Sequence, residues 1–97
     1  MIIKEKKMNV TREQVKKLES LLFWRREIRL INNMYGSNPV ECEYWKGKAD
    51  DAIRYKMNEC DKLGIPHYVQ NVVMMYEDVH SDILDVLRDK EIGIAAE

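Results

Sequence analysis

The side chains able to do chemistry in this 97-residue chain are few. Cys42, Cys60, His67 and His80 suggest a metal, but the two cysteines fall 18 residues apart within one helical pattern, which separates them by ~27 Å along the axis. The two histidines are separated by ~20 Å on the same count. A zinc finger of ordinary spacing is excluded. Glu77 and His80 stand in the Glu-x-x-His relation of helical di-iron proteins, yet Glu77 lies ~110° from the centre of its apolar stripe and belongs in water. Ser20, Ser37 and Ser81 occupy no Gly-rich elbow, and four scattered glycines make neither a phosphate loop nor a dinucleotide fingerprint. The expectation is a protein without an active site, a metal or a cofactor.

Charge is more informative. Sixteen Lys and Arg oppose 17 Asp and Glu, a net charge of −1. Residues 1–35 nevertheless sum to +5 and residues 66–97 to −5. Arg25, Arg26 and Arg29 have no carboxylate three or four residues away, and Arg25 and Arg29 repel as a like pair. With Trp24 beside them, Asn33 one turn on and Lys56 inside a neighbouring apolar stripe, they could bind an anion such as a nucleotide: guanidinium forks hold phosphate and the ring stacks a base. The alternative makes Trp24 core and pairs the arginines with acid on a neighbouring helix or subunit. Lys56 then snorkels to solvent. Asp78, Asp82, Asp85 and Asp89 recur at four, three and four residues as a stripe suited to a basic protein partner, or to solvent alone. Acid in the last half of a helix opposes the macrodipole. Duplex DNA is disfavoured as a partner because the acidic end would be repelled by phosphates.

These groups must be positioned by helices. Gly36-Ser37-Asn38-Pro39 and Gly64-Ile65-Pro66 cut the chain into three segments nearly free of breakers. Thr11 and Gln14 form a capping box, with Val10 and Val15 as its hydrophobic staple. Gly36 supplies a left-handed residue at the helix end, and Asn38 with Pro39 starts the next helix. Gly64 ends the second helix, and Ile65 folds back on Cys60. The spacing predicts an all-α single domain of three long helices, about 12–35, 39–63 and 66–90, arranged up-down-up. The ends, 1–9 and 91–97, are either frayed or recruited into contacts. The longest apolar run is five residues, Val72 to Tyr76, so no membrane span is expected. Two cysteines fit a reducing cytosol.

The first helix carries two apolar lines, Val15-Leu18-Leu22 and Leu21-Trp24-Ile28-Ile31-Tyr35, rotated by roughly 100°. Tyr44 and Tyr55 share a side of the second helix away from its apolar stripe. This surplus predicts a homo-oligomer, most simply a dimer of hairpins completed by the third helix.

The segment Leu21-Leu22-Phe23-Trp24-Arg25-Arg26-Glu27-Ile28 resembles the long first helix of the all-helical chorismate mutases, with Arg25 at the position of an active-site arginine. The resemblance implies three helices in an intertwined dimer. Those enzymes also need a lysine after the first helix, an Arg-Glu pair on the second and a Gln or Glu late in the third. Here no lysine lies between Arg29 and Lys46, Lys48-Ala49 stands near the pair, and the only glutamines are Gln14 and Gln70. The resemblance therefore implies the architecture without the active site. The functional expectation is a small helical accessory or inhibitory factor, of the kind phages and mobile elements encode. It would bind an anionic ligand at a subunit interface or antagonise a basic protein.

Overall fold

A computed structural model describes residues 9–78 and 80–95. In chain order it contains β1 (Asn9–Val10), α1 (Arg12–Tyr35), α2 (Pro39–Lys62), α3 (His67–Met75), α4 (Ile83–Asp89) and β2 (Gly93–Ile94). Among the described residues, no helix is long and apolar enough to cross a membrane.

The start of α1 is set by its capping box. Thr11 Oγ1 accepts from the Gln14 amide at 3.1 Å, and Gln14 Oε1 accepts from the Thr11 amide at 2.9 Å. Val10 and Val15 both pack into the core, completing the staple. Gln14 does more than cap: its Nε2 donates to the Leu63 carbonyl at 2.8 Å, tying the start of α1 to the end of α2. Lower in the hairpin, Glu59 is shared by Lys17 at 3.1 Å and Lys56 at 3.3 Å.

The hairpin turn differs from the sequence expectation. Gly36 is right-handed, φ −58° and ψ −27°. Glycine is needed there for space, because an added Cβ would lie 2.7 Å from the Asn32 carbonyl oxygen. Asn38 then accepts from the Glu41 amide at 3.3 Å, with Pro39 in the first turn. At the far end of α2, Gly64 does take the left-handed conformation, φ 76°. Ile65 N donates to the Cys60 carbonyl and Gly64 N to the Asp61 carbonyl, which is the paired bonding of a Schellman motif.

The third span is two helices, not one. After Met75 the chain turns extended at Tyr76, φ −65° and ψ 132°. Asp78 organises the linker: its Oδ1 accepts from the His80 amide at 3.0 Å and its carbonyl from the Ser81 amide at 3.2 Å. Asp82 then caps α4, accepting from the Ile83 amide at 2.8 Å, with Asp85 in the first turn. An uninterrupted helix would hold these carboxylates near its negative end; the break moves Asp82 and Asp85 to a positive one. Competition from short polar side chains for local backbone groups is the physical cause. Val79, which shares helical spacing with Val72, Tyr76 and Ile83 in the sequence, lies outside the described residues.

A second Schellman arrangement ends α4, with Ile92 N bonded to the Leu87 carbonyl and Glu91 N to the Arg88 carbonyl. It forces a non-glycine residue, Glu91, to φ 58°, at a cost of about 1 kcal/mol. The chain then returns to its beginning: β2 runs parallel to β1, Asn9 beside Gly93 and Val10 beside Ile94. Both described ends are thus recruited into contacts, while residues 1–8 and 96–97 lie outside the described residues.

The core gathers Leu18, Leu21 and Leu22 of α1, Ile53 and Cys60 of α2, Val69 and Val73 of α3, and Val86 and Leu87 of α4. Because α1 meets α2, α3 and α4, the inner half of its two apolar lines is buried within one chain. Exposed apolar side chains remain on the outer half of the hairpin, which projects as an arm, and also at Tyr55, Tyr68, Met75, Leu84 and Ile94. The molecule measures 55 × 25 × 24 Å with a radius of gyration of 15.3 Å, against about 12.5 Å for a compact chain of this length.

Asp82→Ala should lower stability by about 1 kcal/mol, a fall of several degrees in unfolding midpoint measured by circular dichroism; an unchanged midpoint contradicts the capped break. The Lys17 hydrogen bond, followed by that of Lys56, holds the Glu59 carboxyl below its ordinary value of 4.5. A depressed carboxylate stabilises the fold above its unfolded pKa and ceases to as pH falls through the folded one. Glu59→Gln should therefore flatten the decline of stability below about pH 4.5 in urea titrations.

Candidate functional site

The break leaves carbonyls without helical partners, and two arginines of α1 answer them. Arg25 Nε donates to the carbonyl of Met74, in the last turn of α3, at 2.5 Å. Arg26 Nη2 donates to the carbonyl of Ser81, in the linker. Since α3 has no basic residue in its own last turn, Arg25 supplies from α1 the positive charge that a helix C-terminus favours. The arrangement has a cost. Burial lowers the Arg25 pKa, the neighbouring Arg29 lowers it further, and Arg25 Nη1 is buried with no partner among the described residues.

Beside the break, α3, the linker and the end of α4 enclose a cleft of about 680 Å³. Its apolar side comes from Tyr68, Val72, Met75 and Tyr76; its polar side comes from Glu77, Asp78 and Asp89, with Lys90 the sole cation of the lining. Asp78 sits below its ordinary pKa because the His80 amide, and next the Ser81 side chain, bond its charged form. Burial pushes the Tyr76 phenol up, and the Asp89 carboxylate, which it hydrogen-bonds, pushes it the same way. Three carboxylates beside two phenol rings suit a guanidinium or ammonium group, through charge and through ring faces together.

The arginine group is dispersed in role. Trp24 is half-buried against the core and meets Phe23 edge-to-face, ring centroids 5.4 Å apart. Arg25 and Arg26 reach backbone carbonyls, Arg29 and Asn33 are exposed, and Lys56 is engaged with Glu59 on the hairpin, at 3.3 Å. The acidic residues do not form one stripe either. Asp78 and Asp89 line the cleft, Asp82 caps α4, and Asp85 faces Arg88 at 3.5 Å on the surface.

Sequence reasoning missed the cleft's other residues. Tyr68, Val72, Met75 and Tyr76 follow helical spacing, and their stripe gave no sign of being open until α3 was seen to stop. The readable signal was Asp78-x-x-Ser81-Asp82 with Asp85 following, a turn and then a capped helix start. Cys42 and Cys60 are unbridged on one helix, and among the described residues no group of three metal-ligating side chains occurs. No family model, curated protein or solved structure matches the chain.

Arg25→Met should lower stability by about 1–2 kcal/mol through loss of the bond to Met74, whereas Arg29→Met should leave it unchanged or slightly raised by relieving repulsion. Urea unfolding of the two variants decides this. Equal effects would show that the arginines are not divided between structure and surface.

Proposed function

We propose that this chain is a non-enzymatic helical binding protein that acts as a homo-oligomer and receives a cationic segment of a partner protein in the acidic, tyrosine-lined cleft at the helix break. The observation that carries the reading is that cleft's lining: Tyr68, Met75 and Tyr76 beside Glu77, Asp78 and Asp89, with one cation. Glu77 has no polar partner among the described residues. Met75 is 78% exposed, so an apolar contact is available to the stem of an incoming lysine or arginine. An accessory or inhibitory role follows from this chemistry: a protein that covers basic residues of its partner blocks whatever acid or phosphate those residues otherwise engage.

The anionic-ligand reading has less geometric support. Two of the three guanidiniums donate to backbone carbonyls, which leaves only Arg29 of that cluster exposed.

Titration with a short lysine- and arginine-bearing peptide, followed by amide and Tyr ring resonances, tests the reading. Shifts are expected at Tyr68, Met75 and Tyr76, weakening as salt rises and lost in Glu77→Gln/Asp89→Asn. A bound cation should also bring the raised Tyr76 pKa down. No response at the cleft at millimolar peptide, or shifts around Trp24 and Arg29 with a nucleotide instead, would overturn it.

A further inference from the structure

The arm has one face that none of the described residues covers. On α1, Phe23, Glu27, Leu30 and Met34 recur at four, three and four residues; on α2, Tyr44, Lys48, Asp51 and Tyr55 do the same. Each set is a seam of heptad spacing. Met34 is 68% exposed, Tyr55 62% and Tyr44 57%. Between the seams runs an open groove of about 390 Å³, lined by Phe23, Ile31, Met34 and Trp45 and flanked by Glu27 and Lys48. The aromatic groups are already ordered: Tyr35 stacks on Trp45 at 6.4 Å, and Tyr44 meets Trp45 edge-on at 5.1 Å. This face lies away from α3, since Arg25 touches α3 and Glu27, two positions on, stands ~200° further around α1.

We infer that this face is the interface of a two-fold homodimer, in which two α1/α2 arms close into a four-helix bundle. The occupant is a second copy because the surface complements itself. Hairpin pairing sets Asn32 opposite Cys42 and Lys17 opposite Glu59, so Glu27 and Lys48 stand at the same level on opposite helices. A two-fold axis parallel to the arm lays each α1 seam over the partner's α2 seam and brings Glu27 of one copy to Lys48 of the other, twice. Among the described residues Glu27 has no polar partner, and the Lys48 ammonium rests on the Tyr44 ring, 5.1 Å from its centroid. An isologous interface requires a self-complementary patch, and charges of both signs on one surface meet that condition. Two hairpins packed in this way are an ordinary solution for four helices. The inference rests on the homo-oligomer reading and is independent of the cleft.

Light scattering coupled to size exclusion, at tens of micromolar, tests it. The expected mass is twice the 11.6 kDa of the chain. Glu27→Lys and Lys48→Glu should each give monomers of unchanged helicity, because each places like charges together. Mixed in equal amounts, the two single variants should recover the dimer mass, since each then meets its complement across the axis. Recovery on mixing cannot come from a contact within one chain. A monomeric wild-type protein overturns the homo-oligomer reading and this interface with it. A dimer that withstands both single variants, or variants that stay monomeric on mixing, overturns the interface and leaves self-association by another surface.

Discussion

Two guanidinium groups on α1, those of Arg25 and Arg26, donate to the carbonyls of Met74 and Ser81 on either side of the helix break. Much of the molecule depends on this tie. Backbone groups removed from water need partners, and a segment that stops being helical in its middle creates several without them. By answering two of these from outside, α1 lets α3 end and α4 start in a new direction while Ile83, Val86 and Leu87 still reach the same core. Arg25 and Arg26, which looked unpaired along their own helix, meet carbonyl dipoles of the break, and the charge of Arg26 also acts on the Asp78 carboxylate. Burial and like-charge repulsion at Arg25 show that this compensation is incomplete.

The same break reorders the acid. As one helix, the last third of the chain would carry four aspartates against its own dipole. Divided, it uses Asp78 to shape the linker and Asp82 to cap α4, and it leaves Asp89 beside Tyr76 in the cleft. Net charge near zero thus covers two different local solutions: positive groups turned inward toward carbonyls, negative groups retained around an open concavity. The cleft exists because α3 is short, and its acidity exists because caps and linkers favour aspartate.

What could be read beforehand followed from the strength of local signals. The Thr11/Gln14 box, the Asn38-Pro39 start and the Gly64 end each involve a residue type with a single dominant local reason to be there, and they set the start of α1 and both ends of α2. Gly36 was legible as an end but not as a close approach, because only the fold shows the Asn32 carbonyl beneath it. The break was misread because neither Gly nor Pro marks it; Asp78, Ser81 and Asp82 compete with the helix by side-chain hydrogen bonds, and a continuous apolar spacing through Val73, Tyr76 and Ile83 concealed that competition. The arginines were legible as unusual. Their acceptors were not, since a backbone carbonyl 49 residues away leaves no mark in residue type. The two apolar lines of α1 were real, but Val15, Leu18, Leu21, Leu22, Trp24, Ile28, Ile31 and Tyr35 are all buried or half-buried within one chain; the exposed apolar side chains of α1 are Phe23, Leu30 and Met34.

The central claim is that Arg25 and Arg26 hold the break, and with it the cleft. Native-state hydrogen exchange on the Arg25→Met/Arg26→Met double variant tests it most directly. The account predicts that the amides closing α4, at Val86, Lys90 and Ile92, lose protection, while Gly64 and Ile65 at the end of α2 keep theirs. Unchanged protection across α4 would contradict it.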